Sequence, residues 1–311
     1  MPERKGRVVV GLVISENFRA LFYAPFYAAH AIGAYAAEGV EVTLRPSPSP
    51  AATALALLNG EADLMWGGPL RVILSHAENP ASDLVCFADL VRRDPFFVIG
   101  RGARPGLAMR DLARVRLGVV SEVPTPWICL QDDLRRAGVD PAAMNLLTGR
   151  SMAENAGALR TGTIDAVQIF QPYAEELLQA GEKFHVWYAQ ASRGLTAYTM
   201  LVARRSVMAR RVQEFAAVAR AMARTLRWFA ATQPAEIALA LQEFFPDVSS
   251  EIFAGAITRY LALELWCTDP WPNREGFDRL HGAMRSSGAL ARDVAYEDCV
   301  DTEILKKIAQ K

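Results

Sequence analysis

Side chains that do redox, nucleophilic or metal chemistry are scarce in this 311-residue chain. It has four cysteines, Cys86, Cys129, Cys267 and Cys299, and no two are close enough for a CxxC pair. That spacing excludes a zinc knuckle, and a chain of this size can build a core without a disulfide frame. The four histidines, His30, His76, His185 and His281, show no HxH or HExxH pattern and allow no defensible Ser-His-Asp order. No metal and no cofactor is expected. Net charge is missing as well. Lys+Arg 34 balance Asp+Glu 34, which removes the footprint of a nucleic-acid binder. No apolar run approaches the roughly 20 residues that span a bilayer, so no membrane-spanning segment is expected. Gly100-Arg-Gly102 and Gly102-x-x-x-Gly106 lack the Lys-Ser/Thr of a phosphate loop and suit a linker between lobes.

What is present is core material, with 51% apolar and 22% charged residues, in a pattern that alternates strand and helix. Arg7–Ile14 is a β-branched run suited to a strand buried on both faces. It begins so early that no leader fits before it. The expectation is therefore cytoplasmic if Met1 is the native start, and periplasmic if a leader has been removed. A helix over Leu21–Glu38, ended by Gly39, leads to a strand at Val40–Leu44. Pro46 to Pro50 then turn the chain into a helix at Ala51–Leu58, followed by a strand at Asp63–Trp66 that Gly67, Gly68 and Pro69 stop.

The plan repeats. Strands are expected at Val115–Val120, Asn145–Thr148 and Ile164–Ile169, with helices from Trp127 to Ala137 and over Met152–Arg160. Ala56-Leu-Leu-Asn-Gly60-Glu-Ala-Asp63 echoes Ala158-Leu-Arg-Thr-Gly162-Thr-Ile-Asp165, each followed by a strand and a proline. After a strand at Leu195–Ala203, helices are expected over Val207–Thr232, Glu236–Phe245, Ser250–Glu264 and Gly276–Ser286, with Arg211, Arg220 and Arg224 on solvated faces. Residues 1–100 with 195–311 would form one lobe and 101–194 the other, joined by hinge strands near Gly100 and Leu195.

Ala24-Pro-Phe-Tyr-Ala-Ala-His-Ala-Ile-Gly33-Ala-Tyr-Ala-Ala-Glu38-Gly39-Val-Glu-Val, with Gly60-Glu-Ala-Asp63 and Ile164-Asp165-Ala-Val, resembles the solute-binding superfamily of sulfonate, nitrate and thiamine-precursor ABC transporters. The resemblance runs from about Val8 to the last helices and implies a type II periplasmic-binding-protein fold, an α/β chain in two lobes with a helical C-terminal tail. It also implies a small-molecule ligand, an organic anion or a pyrimidine-like ring, and an ABC permease as partner. Enzymes share the fold. The thiamine pyrimidine synthase branch carries a cofactor-binding lysine and a histidine where this chain has Gly67 and Arg71, and a cysteine-rich run where it has Gly194-Leu-Thr-Ala-Tyr-Thr-Met200. The aromatic sulfinate desulfinases carry a nucleophilic cysteine where Ala24 stands, and an arginine where Met65 stands; the paired Gly67-Gly68 are kept. No catalytic residue is therefore expected; the alternatives are a cytoplasmic enzyme on the same fold, a decarboxylase or an enzyme of pyrimidine or cofactor metabolism, and a ligand sensor.

In open α/β sheets, ligands sit beyond the carboxyl ends of the strands. Those ends offer Asn17, Phe18, Arg19 and Tyr23; Ser47 and Ser49; Trp66, Gly67, Gly68 and Arg71; Ser121, Glu122, Thr125 and Trp127; and Gln171 and Tyr173, with Tyr198 on the returning strand. Helix N-termini near Ser49 and Thr125 would favour an anionic head group. Phe18, Trp66, Trp127, Tyr173 and Tyr198 would serve as aromatic walls. Arg19 and Arg71 would be counter-ions to an anion, whereas Glu16 and Glu122 would select an amine or amidine-like nitrogen.

Overall fold

The computed structural model describes residues 10–310, so residues 7–9 of the expected first strand lie outside the described residues. The chain opens with β1 (Val10–Glu16), then α1 (Ala24–Ala31) and α2 (Ala34–Ala37). The single helix expected here is divided at Gly33 and preceded by a 3-10 turn at Leu21–Tyr23. Next come β2 (Val40–Pro46), α3 (Pro50–Leu58), β3 (Leu64–Gly67), α4 (Leu70–Glu78) and β4 (Leu84–Val91). The middle of the chain gives β5 (Phe97–Arg101), β6 (Leu117–Gly118), α5 (Thr125–Arg136), β7 (Leu146–Leu147), α6 (Met152–Thr161), β8 (Ala166–Ile169), α7 (Tyr173–Gln179) and β9 (Phe184–Ala189). The last third has β10 (Thr199–Arg204), α8 (Arg205–Arg210), α9 (Val212–Ala231), α10 (Pro234–Leu241), α11 (Ser250–Ala262), α12 (Arg274–Ser286), α13 (Tyr296–Cys299) and α14 (Glu303–Ala309).

These strands form two five-stranded sheets of one topology, β2-β1-β3-β10-β4 and β7-β6-β8-β5-β9. In each, three parallel strands are followed by one antiparallel strand delivered from the other half of the chain, β10 in the first and β5 in the second. All eight residues of β4 are buried, as a strand covered on both faces requires. The fold is the α/β, two-lobed arrangement expected, with the helical tail after β10.

The chain crosses between the sheets over residues 92–96 and again over 190–198. Leu195 lies in the second crossing. Gly100 does not lie in the first: it sits inside β5, paired with Ala166 and His185. A Cβ there would collide with the Trp187 indole, which lies over it. Gly102 to Gly106 accordingly link β5 to the rest of the second sheet rather than joining the two lobes.

A buried polar network ties the crossings together. The Arg193 side chain, 4% exposed, pairs with the fully buried Asp94 at 2.5 Å and with Asp133 of α5 at 2.5 Å. Gln190 donates to Asp94 at 2.8 Å, and Gln168 of β8 donates to Gln190 at 2.6 Å. Behind the crossings, the Tyr260 hydroxyl of α11 donates to the Pro95 carbonyl and accepts the Gln171 N–H, both at 3.1 Å. The tail therefore braces the joint between the lobes. Two of the three arginines expected to be merely solvated, Arg220 and Arg224, clamp Glu38 at 2.7 and 3.1 Å, and Arg211 pairs with Asp63 at 2.6 Å.

Candidate functional site

Strand carboxyl ends from both sheets face one cleft of about 550 Å³, within the range of small-molecule sites. The first sheet supplies Phe18, Arg19, Ala20 and Leu21 from the loop after β1, and Pro48, Ser49 and Pro50 from the turn into α3. The second supplies Glu122 after β6, Met152 at the start of α6, and Phe170, Pro172, Tyr173 and Glu176 where β8 runs into α7. Phe245, Asp247 and Val248, between α10 and α11, complete the lining.

Aromatic rings from both halves meet at the cleft. Phe170 lies 6.1 Å from Phe18, 5.5 Å from Phe22 and 6.2 Å from Tyr173, centroid to centroid, and 5.1 Å from Phe96 of the first crossing. An edge-to-face cluster of this kind presents apolar area with fixed geometry. Because its members come from both lobes and the crossing, a change in lobe angle must rearrange it.

The polar groups are largely engaged by the protein itself. Arg19 directs Nε to Glu16 at 3.1 Å and a second guanidinium nitrogen to the Phe244 carbonyl at 3.0 Å. Glu16 is buried and also accepts the Tyr27 hydroxyl at 2.6 Å. Ser49 caps α3 by accepting the Ala52 N–H at 3.2 Å. Glu122 accepts the Met152 N–H at 2.7 Å, closing the amino end of α6. The carboxylates of Glu176 and Asp247 have no hydrogen-bonding or ion-pair partner among the described residues.

Of the residues expected at the site, the structure brings Phe18, Arg19, Ser49, Glu122 and Tyr173 together along the cleft. The others lie elsewhere. Trp66, expected as a wall, is fully buried and stacked on Phe26 at 4.5 Å. Tyr23 and Asn17 are buried against each other through a 3.2 Å hydrogen bond. Tyr198 is buried edge-on to Phe22. Gly67 lies within β3, and Gly68 is packed against Thr125 and the Tyr198 carbonyl, so the amino end of α5 meets protein rather than the cleft. Trp127 packs into the cores on either side of α5. Ser47 donates to the Ser49 carbonyl and Ser121 to the Arg150 carbonyl. Gln171 is buried and hydrogen-bonded to Glu175. Arg71, on α4, stands outside the lining and has no ion pair among the described residues. Phe170 and the Phe245–Val248 segment were not anticipated. Phe170 could have been found as the residue that follows β8, much as Phe18 lies two residues after β1; the loop from the tail has no local signal.

All four cysteines are buried outside the cleft. Burial pushes the thiols of Cys129 and Cys299 up to about 12, and those of Cys86 and Cys267 also upward, so none is primed as a thiolate. The described residues hold no group of three or more His, Cys, Asp or Glu placed to bind a metal, and no helix among them is long and apolar enough to cross a membrane.

A family model described as "NMT1/THI5 like" matches residues 22–237. YtlA of Bacillus subtilis (strain 168), a candidate binding protein, is 23% identical over 299 residues, which is 96% of this chain and 90% of YtlA. Among solved structures, the periplasmic aliphatic sulphonate binding protein SsuA from Escherichia coli superposes with a TM-score of 0.75 at 17% identity, covering 93% of this chain and 97% of SsuA. The desulfurization enzyme DSZB gives 0.72 at 14% identity, with 96% and 99% covered.

Proposed function

The chain belongs to the NMT1/THI5-like family, and from that premise we propose that it is a solute-binding receptor that closes on one small organic molecule and delivers it to an ABC-type importer. The single observation that carries this reading is the cleft itself. Its walls come from the carboxyl ends of two sheets joined by just two crossing segments, and its aromatic floor is shared between them. Such a joint lets a ligand stabilise the closed arrangement by contacting both lobes at once. We divide the chain at the crossings, one lobe on the first sheet with the tail, the other on the second sheet. Work outside the cytoplasm, opposite a permease, goes with this role.

A desulfurization enzyme has the same fold, so catalysis is the reading to be tested against. Here the start of α1, which the resemblance to the sulfinate desulfinases matches to their nucleophilic cysteine, is the buried Ala24, which offers no nucleophile. The test is a thermal-shift screen of amines, carboxylates, sulfonates and pyrimidines, followed by small-angle scattering of the protein with and without any hit. A ligand at about 100 times its dissociation constant should stabilise by about 2.7 kcal/mol, and the radius of gyration should fall on binding. A hit that stabilises without any change in shape would argue against closure.

A further inference from the structure

The charge lining the cleft has the wrong sign for an anion. The features that would attract one are partly offset by the protein itself: two of the three Arg19 guanidinium nitrogens go to the buried Glu16 and the Phe244 carbonyl, Glu122 takes an N–H at the amino end of α6, and Ser49 takes one at the amino end of α3. The charged side chains of the lining that have no partner at all among the described residues are acidic. Glu176 enters from α7 of the second lobe, and Asp247 from the segment between α10 and α11. Phe18, Phe170 and Tyr173 line the same cleft, and the faces of aromatic rings attract cations. A sulfonate placed here would meet carboxylates and negative ring faces; an ammonium would gain from both.

We propose that the cleft selects an organic cation: a protonated amine or amidinium on a flat or apolar body, with the charged nitrogen held by Glu176 and Asp247 and the body packed on Phe18, Phe170 and Tyr173. The assignment rests on the receptor reading and narrows its ligand class. It separates this chain from the sulphonate-binding protein that it superposes on. Because the two carboxylates come from different parts of the cleft wall, one cation bridging them would also hold the cleft shut.

Two probes with the same ring and spacer but opposite charge decide the matter: 2-phenylethylammonium and 2-phenylethanesulfonate, titrated calorimetrically into the intact protein. The ammonium should bind at least about tenfold more tightly, and the Glu176→Gln/Asp247→Asn double variant should lose about tenfold to a hundredfold in ammonium affinity. Neither side chain supports the fold through a hydrogen bond among the described residues, so the variant's ligand-free unfolding temperature should match that of the parent. Glu176→Lys should raise sulfonate binding. Tighter binding of the sulfonate by the parent protein would overturn the inference and leave the receptor reading standing. Equal binding of the two probes, unmoved by the double variant, would also overturn it, since the rings alone would then carry affinity. If neither probe binds at millimolar concentration, the cation assignment falls; the receptor reading falls only if the wider screen is empty too.

Discussion

In the first lobe α3 ends, the chain turns at Gly60, and Asp63 leads into β3; in the second α6 ends, the chain turns at Gly162, and Asp165 leads into β8. The two corners match bond for bond. Glu61 N–H donates to the Ala56 carbonyl and Thr163 N–H to the Ala158 carbonyl, both at 2.9 Å. The Asp63 carboxylate accepts the Val13 N–H and that of Asp165 the Arg116 N–H, both at 2.8 Å. Arg204, ending β10, lies over Gly60, as Arg101, ending β5, lies over Gly162. The strand order of the sheets repeats with them. They differ in what lies outside the corner. Asp63 is held at 2.6 Å by Arg211 of the tail, whereas Asp165 has, among the described residues, an ion pair only with Arg116 at 3.5 Å. One plan occurs twice, and the tail packs mainly onto the first copy, leaving the second tied through the crossings and through α5 and α11.

The strongest way to break this picture is at the joint. Arg193→Met leaves the Asp94 and Asp133 carboxylates without their shared cation and should cost about 3–5 kcal/mol, read as a lower midpoint in urea unfolding. A loss below 1 kcal/mol would mean that the crossings are held by packing alone.

The second prediction concerns an acid that only the first lobe has. Asp89 of β4 is fully buried, and burial pushes its carboxyl up to about 8, with the Cys267 thiol and backbone N–H groups of Asn273 and Leu90 only partly opposing this. Its position opposite Met200 corresponds to that of Tyr188 opposite Val98 in the second sheet. The native state keeps a proton that the unfolded chain releases near pH 4. The contribution of Asp89 to stability should therefore be complete below about pH 4 and be lost as pH rises through about 8. Asp89→Asn should flatten that part of the urea midpoint against pH; an unchanged slope would place its cause elsewhere.

The matched corners give smaller, paired effects. Asp63→Ala should cost about 2 kcal/mol and Asp165→Ala about 1 kcal/mol, because only the former also loses a bond to the tail. The Arg116 N–H holds the Asp165 carboxyl below the usual range despite partial burial. Its contribution should be complete above about pH 4 and vanish as pH falls through the lower, folded value. Gly60 and Gly162 sit at φ of 76° and 79°, so alanine at either should cost about 1–2 kcal/mol. Gly60→Ala should be the worse, since its Cβ would come within 3.2 Å of the Arg204 guanidinium. Equal losses at both corners would argue against any role of the tail.

The corners could be read directly from the sequence because a helix-ending glycine and a strand-leading acid are local signals. So was the fold, through the proline-led opening helix and its glycines. Of the strands that complete the sheets, β4 and β9 were not anticipated, and β5 only as a hinge strand near Gly100. β4 is a continuous apolar run, and a strand buried on both faces has no alternation to distinguish it from buried helix. The cleft was half legible. Phe18, Arg19, Ser49, Glu122 and Tyr173 follow from the rule of strand carboxyl ends, but Trp66, Tyr23 and Tyr198 satisfy the same rule and are core. The rule gives an edge and does not say which rings the neighbouring loops will cover. Asp247 reaches the cleft through the packing of α10 and α11, which no short pattern records.

The most direct test of the central claim, reversible capture in a hinged cleft, is recovery of a bound compound. The protein would be incubated for hours with a stabilising ligand, then unfolded, and the released material identified and counted by mass spectrometry. The account predicts one unaltered molecule per chain. A ligand consumed beyond one equivalent, with a product accumulating, would contradict it and make the cleft an active site.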